Sequence, residues 1–319
     1  MNEFEIINRY FSKLSSKNHS ALNLNDDVFF DKSKKLVVSV DTYEEGTHFI
    51  NFRYPELVIK KILRSSISDL ICKGVIPKYY FISGSGDKKS FSRKNLKMIS
   101  KSLKQEQNKY SIFFVCGDTV YSKKLSFTIT SVGFSKKIVH RNNAKIHDDI
   151  YVTDNLGDSF IGLQILKKKI NLNKDLSNYF IKKYFQPILH VKISKKLISF
   201  ANTSIDISDG LIAELEKLIN KQKLTYKLFL ESIPVSKNLN KLINLNITKK
   251  VSSVSQGDDY QILFTASPSK SRIISKMSKS LGIKISKIGK ICIHSHKSQI
   301  INEKNKKIAL KNKGYYHKF

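Results

Sequence analysis

The sequence contains few cysteines and no long apolar run. Its three cysteines, Cys72, Cys116 and Cys292, are widely spaced and form no Cys-x-x-Cys motif, so neither a disulfide framework nor a structural zinc site is predicted. No run of about 18 apolar residues is present, and the N-terminus lacks the basic start and apolar core of a signal peptide. We therefore expect a soluble protein of the cytoplasm with no membrane partner.

Acidic residues are also scarce: the chain has 26 Asp and Glu against 57 Lys and Arg, a formal net charge of +31. A charge of this size would suit a nucleic acid or another anionic partner. The basic residues are nevertheless scattered along the whole chain, with no dense tract and no stripe interleaved with aromatics. We interpret most of them as a solvated lysine-rich surface, and a basic nucleic-acid-binding protein stays as the alternative from another class.

Helix and strand signals alternate along the 319 residues, of which 40% are hydrophobic. A chain of this length is expected to form about two domains, each able to bury a core. Residues 56–73 carry apolar side chains at helical spacing, which predicts a long and largely buried helix ending at Gly74. Residues 35–40 and 125–133 predict strands, and the pattern restarts with a strand at 150–154. The sequence thus predicts a mixed α/β protein.

Aspartates are concentrated in six short segments that share one form: a strand or helix end, a small residue, then a carboxylate. They are Asp26, Asp27, Asp41, Asp69, Asp118, Asp206, Asp209, Asp258 and Asp259. Two carboxylates about 4 Å apart repel by roughly 4 kcal/mol at an effective dielectric constant of about 20, so carboxylates that converge need a cation or a proton. Ligand sets made only of oxygen suit Mg²⁺, which also binds substrate phosphates. Any single segment could be an Asx turn or a helix N-cap, but their number and order favour a magnesium site.

The segment DISDG at 206–210 is the most specific of the six. Its two aspartates frame a turn, and we expect Ser208 or Asp209 to cap the helix that starts at Leu211. The chain has no Gly-x-x-x-x-Gly-Lys-[Ser/Thr] motif, and the segment SGSGDKKS at 83–90 has the wrong glycine spacing for one. Phosphate binding through a P-loop is therefore not predicted.

The order of these segments resembles the thiamine-monophosphate kinase family. The motifs that carry the resemblance are NDDVFF, SVDTYEEGTHF, SISDLICKGVIP, CGDTV, HRNNAKIHDDIYVTD, SIDISDGL, SQGDDYQILFT and GYYHKF. Together they extend over nearly the whole chain, and it is their joint order that makes the pattern specific.

The resemblance implies a two-domain aminoimidazole ribonucleotide synthetase-like fold of the α/β (α+β) class. The N-terminal domain, 1–140, would bind ATP and magnesium and pair with its copy in a homodimer. The C-terminal α+β domain, 141–319, would complete the site. The implied reaction is Mg²⁺-dependent transfer of the ATP γ-phosphoryl group to thiamine monophosphate, giving thiamine diphosphate and ADP. Another ATP-dependent member of the superfamily with a different substrate is the nearest alternative.

The resemblance also implies a role for particular residues. Several Mg²⁺ ions would be held by Asp26, Asp27, Ser39, Val40, Asp41, Asp69, Asp118, Asp206 and Asp209. Asp118 and Asp209 would act in catalysis through bound metal. ATP would contact Gly117, Arg141 and Ser208, and thiamine monophosphate would contact His48, Asp258 and Tyr315.

The chain departs from the family pattern at a few of these motifs. Asn25 and Asp154 replace glycines, which is compatible with the same fold because Asn and Asp tolerate left-handed backbone conformations. Asp258 and Gln261 replace glutamates, and the shorter Asp258 leaves the substrate contact as an open question. No proposed metal ligand is lost, so we expect an active enzyme.

Overall fold

The structure is a computed structural model that describes residues 3–294, 297–310 and 314–315. Its strands form two sheets, one from each half of the chain. The first half contributes β1 (Phe29–Asp31), β2 (Leu36–Glu44), β3 (Pro77–Gly86), β4 (Phe113–Tyr121) and β5 (Ser126–Phe134). The second half contributes β6 (Asp149–Thr153), β7 (Thr203–Asp206), β8 (Leu224–Phe229), β9 (Ile262–Ala266), β10 (Ile285–Ile293) and β11 (Gln299–Ile301). The strand orders are β1-β2-β5-β3-β4 and β11-β8-β10-β6-β9-β7, which confirms the predicted mixed α/β class.

The helices follow the same division. In the first half they are α1 (Glu3–Ile6), α2 (Pro55–Cys72) and α3 (Arg93–Tyr110). In the second half they are α4 (Asp158–Leu166), α5 (Lys174–Phe185), α6 (Val191–Leu197), α7 (Leu211–Leu218), α8 (Lys237–Asn244), α9 (Lys250–Val254) and α10 (Ser271–Leu281). Short π or 3₁₀ segments occur at Ile7–Phe11, Ser12–Ser15, His19–Leu24, Leu230–Ser232 and Pro268–Lys270. In the part of the chain that the structure describes, no helix is both long and apolar enough to cross a membrane.

Helix α2 is the central element of the molecule. It starts with Pro55 in its first turn, where the missing N–H costs nothing, and its bounds confirm the helix predicted at 56–73. Ile59, Ile62 and Ile67 along it are fully buried, because the helix contacts the N-terminal sheet, helix α3 and also α5, α6 and β7 of the second half. Residues on α2 are therefore well placed to meet residues from both halves.

The largest apolar cluster is continuous between the two halves. It combines Ile62 and Phe127 from the first half with Tyr184, Ile193 and Phe264 from the second. A separate cluster lies within the C-terminal half around β6, α7 and β10. The division into domains 1–140 and 141–319 remains a proposal, supported by the two sheets, while the main core belongs to both.

One face of the N-terminal sheet, which we term the outer face, is open and apolar. Its exposed apolar side chains are Val40, Phe81, Phe113, Val120 and Phe134. Strand β4, at the edge of the sheet, is exposed along its full length. Apolar edge strands of this kind are usually covered in native proteins.

Candidate active site

A cavity of about 270 Å³ lies between the N-terminal sheet, helix α2 and the turns around β7 and β9. It brings together eight of the residues predicted from sequence: Asp41, His48, Asp69, Asp206, Ser208, Asp209, Asp258 and Tyr315. These residues are scattered from position 41 to position 315, so their convergence is a product of the fold. Carboxylates and aromatic side chains, including Tyr184 and Tyr260, both line the cavity.

Three carboxylates form the closest group. Asp27, Asp69 and Asp206 each offer an oxygen within 4.8 Å of the others, and they come from the loop before β1, from α2 and from the end of β7. Asp69 accepts a hydrogen bond from the Ser39 hydroxyl, and Asp206 accepts one from Ser68. This set of hard oxygen donors fits a divalent ion such as Mg²⁺.

The pKa values of Asp69 and Asp206 also favour a bound cation. Burial, together with Asp41 and Asp206, raises the pKa of Asp69 well above its usual value. Burial, followed by the charge of Glu214, raises the pKa of Asp206 to about 7. Carboxylates crowded in this way bind a proton or a cation in preference to remaining charged and alone.

Asp26 and Asp27 are held by basic residues. The Lys73 ammonium lies 2.7 Å from Asp26 Oδ1 and 2.6 Å from Asp27 Oδ2. The Arg141 guanidinium contacts Asp27, and its backbone N–H donates to Asp26 Oδ2 at 3.0 Å. Burial alone would raise the pKa of Asp26, but Lys73, His140 and Arg141 lower it below its usual value. Lys73 was not anticipated from the sequence, although a lysine within the apolar run ending at Gly74 is the signal that could have indicated it.

The turn that carries Ser208 and Asp209 is fixed by helix α7. Glu214 Oε1 accepts hydrogen bonds from the Ser208 hydroxyl and the Asp209 backbone N–H, both at 3.1 Å. Lys217 Nζ donates to Asp209 at 2.5 Å and to Glu214 at 2.9 Å. The expected cap by Ser208 or Asp209 is wrong, because the N-cap residue of α7 is Gly210 and no side chain caps it. Glu214 instead satisfies the turn from within the helix, a role that sequence reasoning missed.

Asp258 lines the cavity and is paired with a second buried lysine. Lys61, which is 1% exposed, forms an ion pair with Asp258. Its ammonium also lies 4.0 Å from the centre of the Tyr184 ring, and Tyr260 donates to Asp258 at 3.2 Å. Lys61 therefore already supplies a positive charge to Asp258 and to the Tyr184 ring.

His48 and Tyr315 close the same region. His48 Nδ1 accepts the backbone N–H of Glu44 at 3.0 Å, which orients the ring and fixes the proton of a neutral imidazole on Nε2. The backbone N–H of Tyr315 donates to the carbonyl oxygen of Asp209 at 3.0 Å, so this part of the C-terminal segment lies against the turn before α7.

Gly117 and Asp118 are not part of this cavity. They lie on β4, and β5 and β3 separate that strand from β2, so three strand spacings put Asp118 roughly 14 Å from Asp41 across the sheet. The register pairs Asp118 with Ser83 on the outer face. A side chain at Gly117 would place its Cβ 1.9 Å from the Ile82 carbonyl oxygen, so close strand approach already requires glycine there. The roles predicted for these two residues stay predictions.

The structure also shows where the other predicted site residues lie, and what conformation the chain adopts at two departures from the family pattern. Ser39 is buried and contacts Asp69 through its hydroxyl, whereas the side chain of Val40 is 62% exposed on the outer face. Asn25 has a φ of −126°, which needs no glycine. Asp154 has a φ of 50° and so adopts the left-handed conformation expected of a glycine replacement.

The chain is similar to known proteins over most of its length. Residues 24–135 match the family described as AIR synthase related protein, N-terminal domain. The thiamine-monophosphate kinase of Buchnera aphidicola subsp. Schizaphis graminum is 34% identical, with 99% of this chain and 98% of the relative covered. The thiamine-monophosphate kinase of Haemophilus influenzae is 31% identical, covering 91% and 89%.

The chain is also similar to solved structures of thiamine monophosphate kinase. The crystal structure of thiamine monophosphate kinase from Aquifex aeolicus is 25% identical with a TM-score of 0.80, covering 97% of this chain and 99% of the other. A structure described as AaThiL complexed with AMPPCP and TMP has a TM-score of 0.85 at 24% identity, covering 99% and 97%, and at that identity it supports the fold alone. The chain belongs to the thiamine-monophosphate kinase family.

Proposed function

We propose that this protein transfers the γ-phosphoryl group of ATP to thiamine monophosphate, giving thiamine diphosphate and ADP. The observation that carries the proposal is a cavity lined by Asp41, Asp69 and Asp206 and also by Asp258, Tyr184 and Tyr260. The two substrates require carboxylates that hold Mg²⁺ for their phosphates, and acidic and aromatic side chains suit the thiazolium ring. The names of the full-length relatives support the same reaction.

Magnesium is the ion we propose for the carboxylates, held by Asp69 and Asp206 with Asp41 in the same cavity. When bound, such ions neutralise phosphate oxygens and orient them for in-line transfer. The attacking group is itself a phosphate oxygen, so the protein needs no strong general base. What the chain contributes is positioning: Ser39 and Ser68 orient the two carboxylates, and Glu214 fixes the turn at Asp209.

We propose that ATP contacts Arg141, Ser208 and the backbone at Gly117. An Arg fork suits phosphate oxygens, and the Arg141 fork contacts Asp27. On the acceptor side we propose His48, Asp258 and Tyr315, where a carboxylate and aromatic rings can receive the positively charged thiazolium ring.

A homodimer formed through the outer face is part of the proposal. Pairing two copies there would cover the apolar side chains of β4 and remove an open sheet edge. It would also give Asp118 a role, because this residue lies on the outer face and cannot join the carboxylates of its own chain across two strands. We propose that Asp118 serves the site of the second copy.

The compartment we propose is the cytoplasm. Cys72 is buried, Cys116 is exposed, and neither these nor Cys292 forms a disulfide among the described residues. Free thiols of this kind are typical of a reducing environment.

The direct test is to incubate purified protein with ATP, MgCl₂ and thiamine monophosphate and to measure thiamine diphosphate by chromatography. We expect turnover by the wild type and a loss of at least about 100-fold in Asp69→Asn, since a preorganised charge interaction of this kind contributes that much. Asp175→Asn, an exposed aspartate at the start of α5, is the matched control and should retain activity. Folded wild-type protein that forms no thiamine diphosphate would refute the proposed function.

A further inference from the structure

Lys73 is a fully buried lysine whose ammonium has three oxygen partners. It lies 2.7 Å from Asp26 Oδ1 and 2.6 Å from Asp27 Oδ2, and it donates to the backbone carbonyl of Ser204 at 2.6 Å. Its exposed fraction is 0%. A lysine ammonium has three N–H donors, so these three oxygens use all of them. Lys73 therefore sits between two adjacent carboxylates as a positive charge coordinated by oxygen.

The other carboxylate oxygens of Asp26 and Asp27 also have hydrogen-bond donors. Asp27 Oδ1 contacts the Arg141 guanidinium, and Asp26 Oδ2 accepts the Arg141 backbone N–H at 3.0 Å. Asp26 Oδ1 also accepts the Asp27 backbone N–H at 2.9 Å. Each of the four carboxylate oxygens thus has a donor, and the two negative charges are matched by the two fixed positive charges of Lys73 and Arg141.

Asp69 and Asp206 differ from this pair in the charge of their partners. Asp69 and Asp206 accept hydrogen bonds from the neutral hydroxyls of Ser39 and Ser68. Among the described residues, no Lys or Arg forms an ion pair with either of them. A cation or a proton is therefore needed at Asp69 and Asp206, whereas the charges at Asp26 and Asp27 are already balanced from within the chain.

We propose that Lys73 takes the place of a divalent ion at the Asp26–Asp27 pair. The protein then binds divalent ions at Asp69 and Asp206 but holds none between Asp26 and Asp27, and Asp27 reaches the ion site only by giving up a contact with Lys73 or Arg141. The inference rests on the proposed function in one respect, that the carboxylates bind divalent ions. It reassigns Asp26 from the ligand role expected from sequence to that of a counter-charge for Lys73.

The assignment has a physical consequence for the site. A lysine side chain cannot dissociate, so the segment that carries Asp26 and Asp27 stays docked against α2 whether or not magnesium is present. A dissociable ion at the same position would link that docking to the magnesium concentration. The fixed ammonium also carries one positive charge where a divalent ion carries two.

The first experiment counts bound ions. Full-length wild type, Lys73→Met and Lys61→Met are titrated with Mn²⁺ without nucleotide, by calorimetry and by the electron paramagnetic resonance signal of free Mn²⁺. Mn²⁺ suits sites built of carboxylate oxygens. We expect Lys73→Met to bind one more ion per chain than the wild type, because the two carboxylates lose their internal cation. Lys61→Met removes an equally buried, ion-paired lysine and should bind the same number as the wild type.

A second experiment keeps Lys73 in place, so that it does not depend on how Lys73→Met folds. In the wild-type background, Asp26→Asn should leave the number and affinity of bound Mn²⁺ unchanged, whereas Asp69→Asn should lose an ion or bind it at least about tenfold more weakly. Loss of an ion in Asp26→Asn would overturn the assignment, as would equal ion numbers in folded Lys73→Met and wild type. A wild type that binds no Mn²⁺ would count instead against the magnesium site of the proposed function, so the two failures are distinguishable.

Discussion

Asp206, at the end of β7, is a residue whose ionisation affects the stability of the protein. Its pKa in the folded protein is raised to about 7 by burial and by the charge of Glu214, whereas a carboxyl group in an unfolded chain ionises near about 3.9. Between these two values the folded state holds a proton that the unfolded state has released. The contribution of this group to the free energy of unfolding therefore decreases as the pH rises from about 4 to about 7.

We predict that Asp206→Asn raises the melting temperature at pH 7.5 in the presence of EDTA and changes it little at pH 4.5. The amide removes the buried charge that costs stability only where the carboxyl is ionised. Differential scanning calorimetry at the two pH values provides the measurement. Asp175→Asn, at an exposed position, should show no such difference, and an equal shift of Asp206→Asn at both pH values would contradict the prediction.

Three of the site residues that sequence reasoning missed are basic. Lys61, Lys73 and Lys217 each form a buried or nearly buried ion pair with an aspartate. In a chain with 57 Lys and Arg, such a lysine is hard to separate from a solvated one, and only Lys73, in the apolar run ending at Gly74, carries a local signal. The partner of Lys61 lies 197 positions away, so the pair exists only once the fold has formed. The acidic members were predictable because aspartates are scarce and occur in ordered motifs.

At the level of elements, the turn into helix α7 has a tightly packed backbone. Gly210 has a φ of +114°, and a Cβ there would lie 2.3 Å from the carbonyl oxygen of Ser255. Only glycine adopts this conformation readily. The turn therefore holds Asp209 in place through a backbone shape that any other residue would disturb.

We predict that Gly210→Ala lowers the free energy of unfolding by about 3 kcal/mol, from backbone strain and the clash together, and also reduces kinase activity by displacing Asp209. Urea unfolding and the thiamine diphosphate assay measure the two effects. Gly282→Ala is the matched control, because Gly282 also has a positive φ, +63°, but nothing lies within 4 Å of its Cβ position. The control should lose only about 1 kcal/mol and retain activity, and equal losses in the two variants would contradict this account.

Elements with a strong periodic pattern were predictable, and their ends were less so. Helix α2 matches the prediction because its apolar residues follow helical spacing over five turns, and β5 matches because Phe127, Ile129 and Ser131 alternate with less buried neighbours. The cap of α7 was assigned wrongly because Ser208 and Asp209 are good cap residues in isolation. The competing contact from Glu214, a local interaction within the first turn of α7, prevailed.

At the scale of the whole molecule, we expect the outer face to mediate association. We predict that the wild type is a dimer and that Val120→Glu makes it a monomer, because a buried charge on β4 would have no partner at the interface. Sedimentation equilibrium gives the molecular mass in solution. Leu245→Glu, a change at a 68% exposed residue away from the outer face, should remain dimeric, and a monomeric wild type would refute the prediction.

A mixing experiment tests whether Asp118 serves the second copy. Asp118→Ala and Asp209→Ala are each expected to be inactive as pure dimers. After the two variants are unfolded together and refolded, each mixed dimer has one intact site if Asp118 acts across the interface, so kinase activity should return. If both residues act within one chain, the mixture stays inactive, and that outcome would exclude the proposed sharing.

The apolar cluster that joins the two halves determines how the cavity can work. Ile62 on α2 and Phe264 on β9 belong to the same cluster, so moving the halves apart as rigid bodies would expose it to water. The molecule should therefore unfold in a single cooperative transition rather than in two steps. For the same reason, we expect the width of the cavity to stay nearly constant. Substrates would then enter and products would leave through movement of residues at the rim of the cavity, and not through a hinge between the two halves.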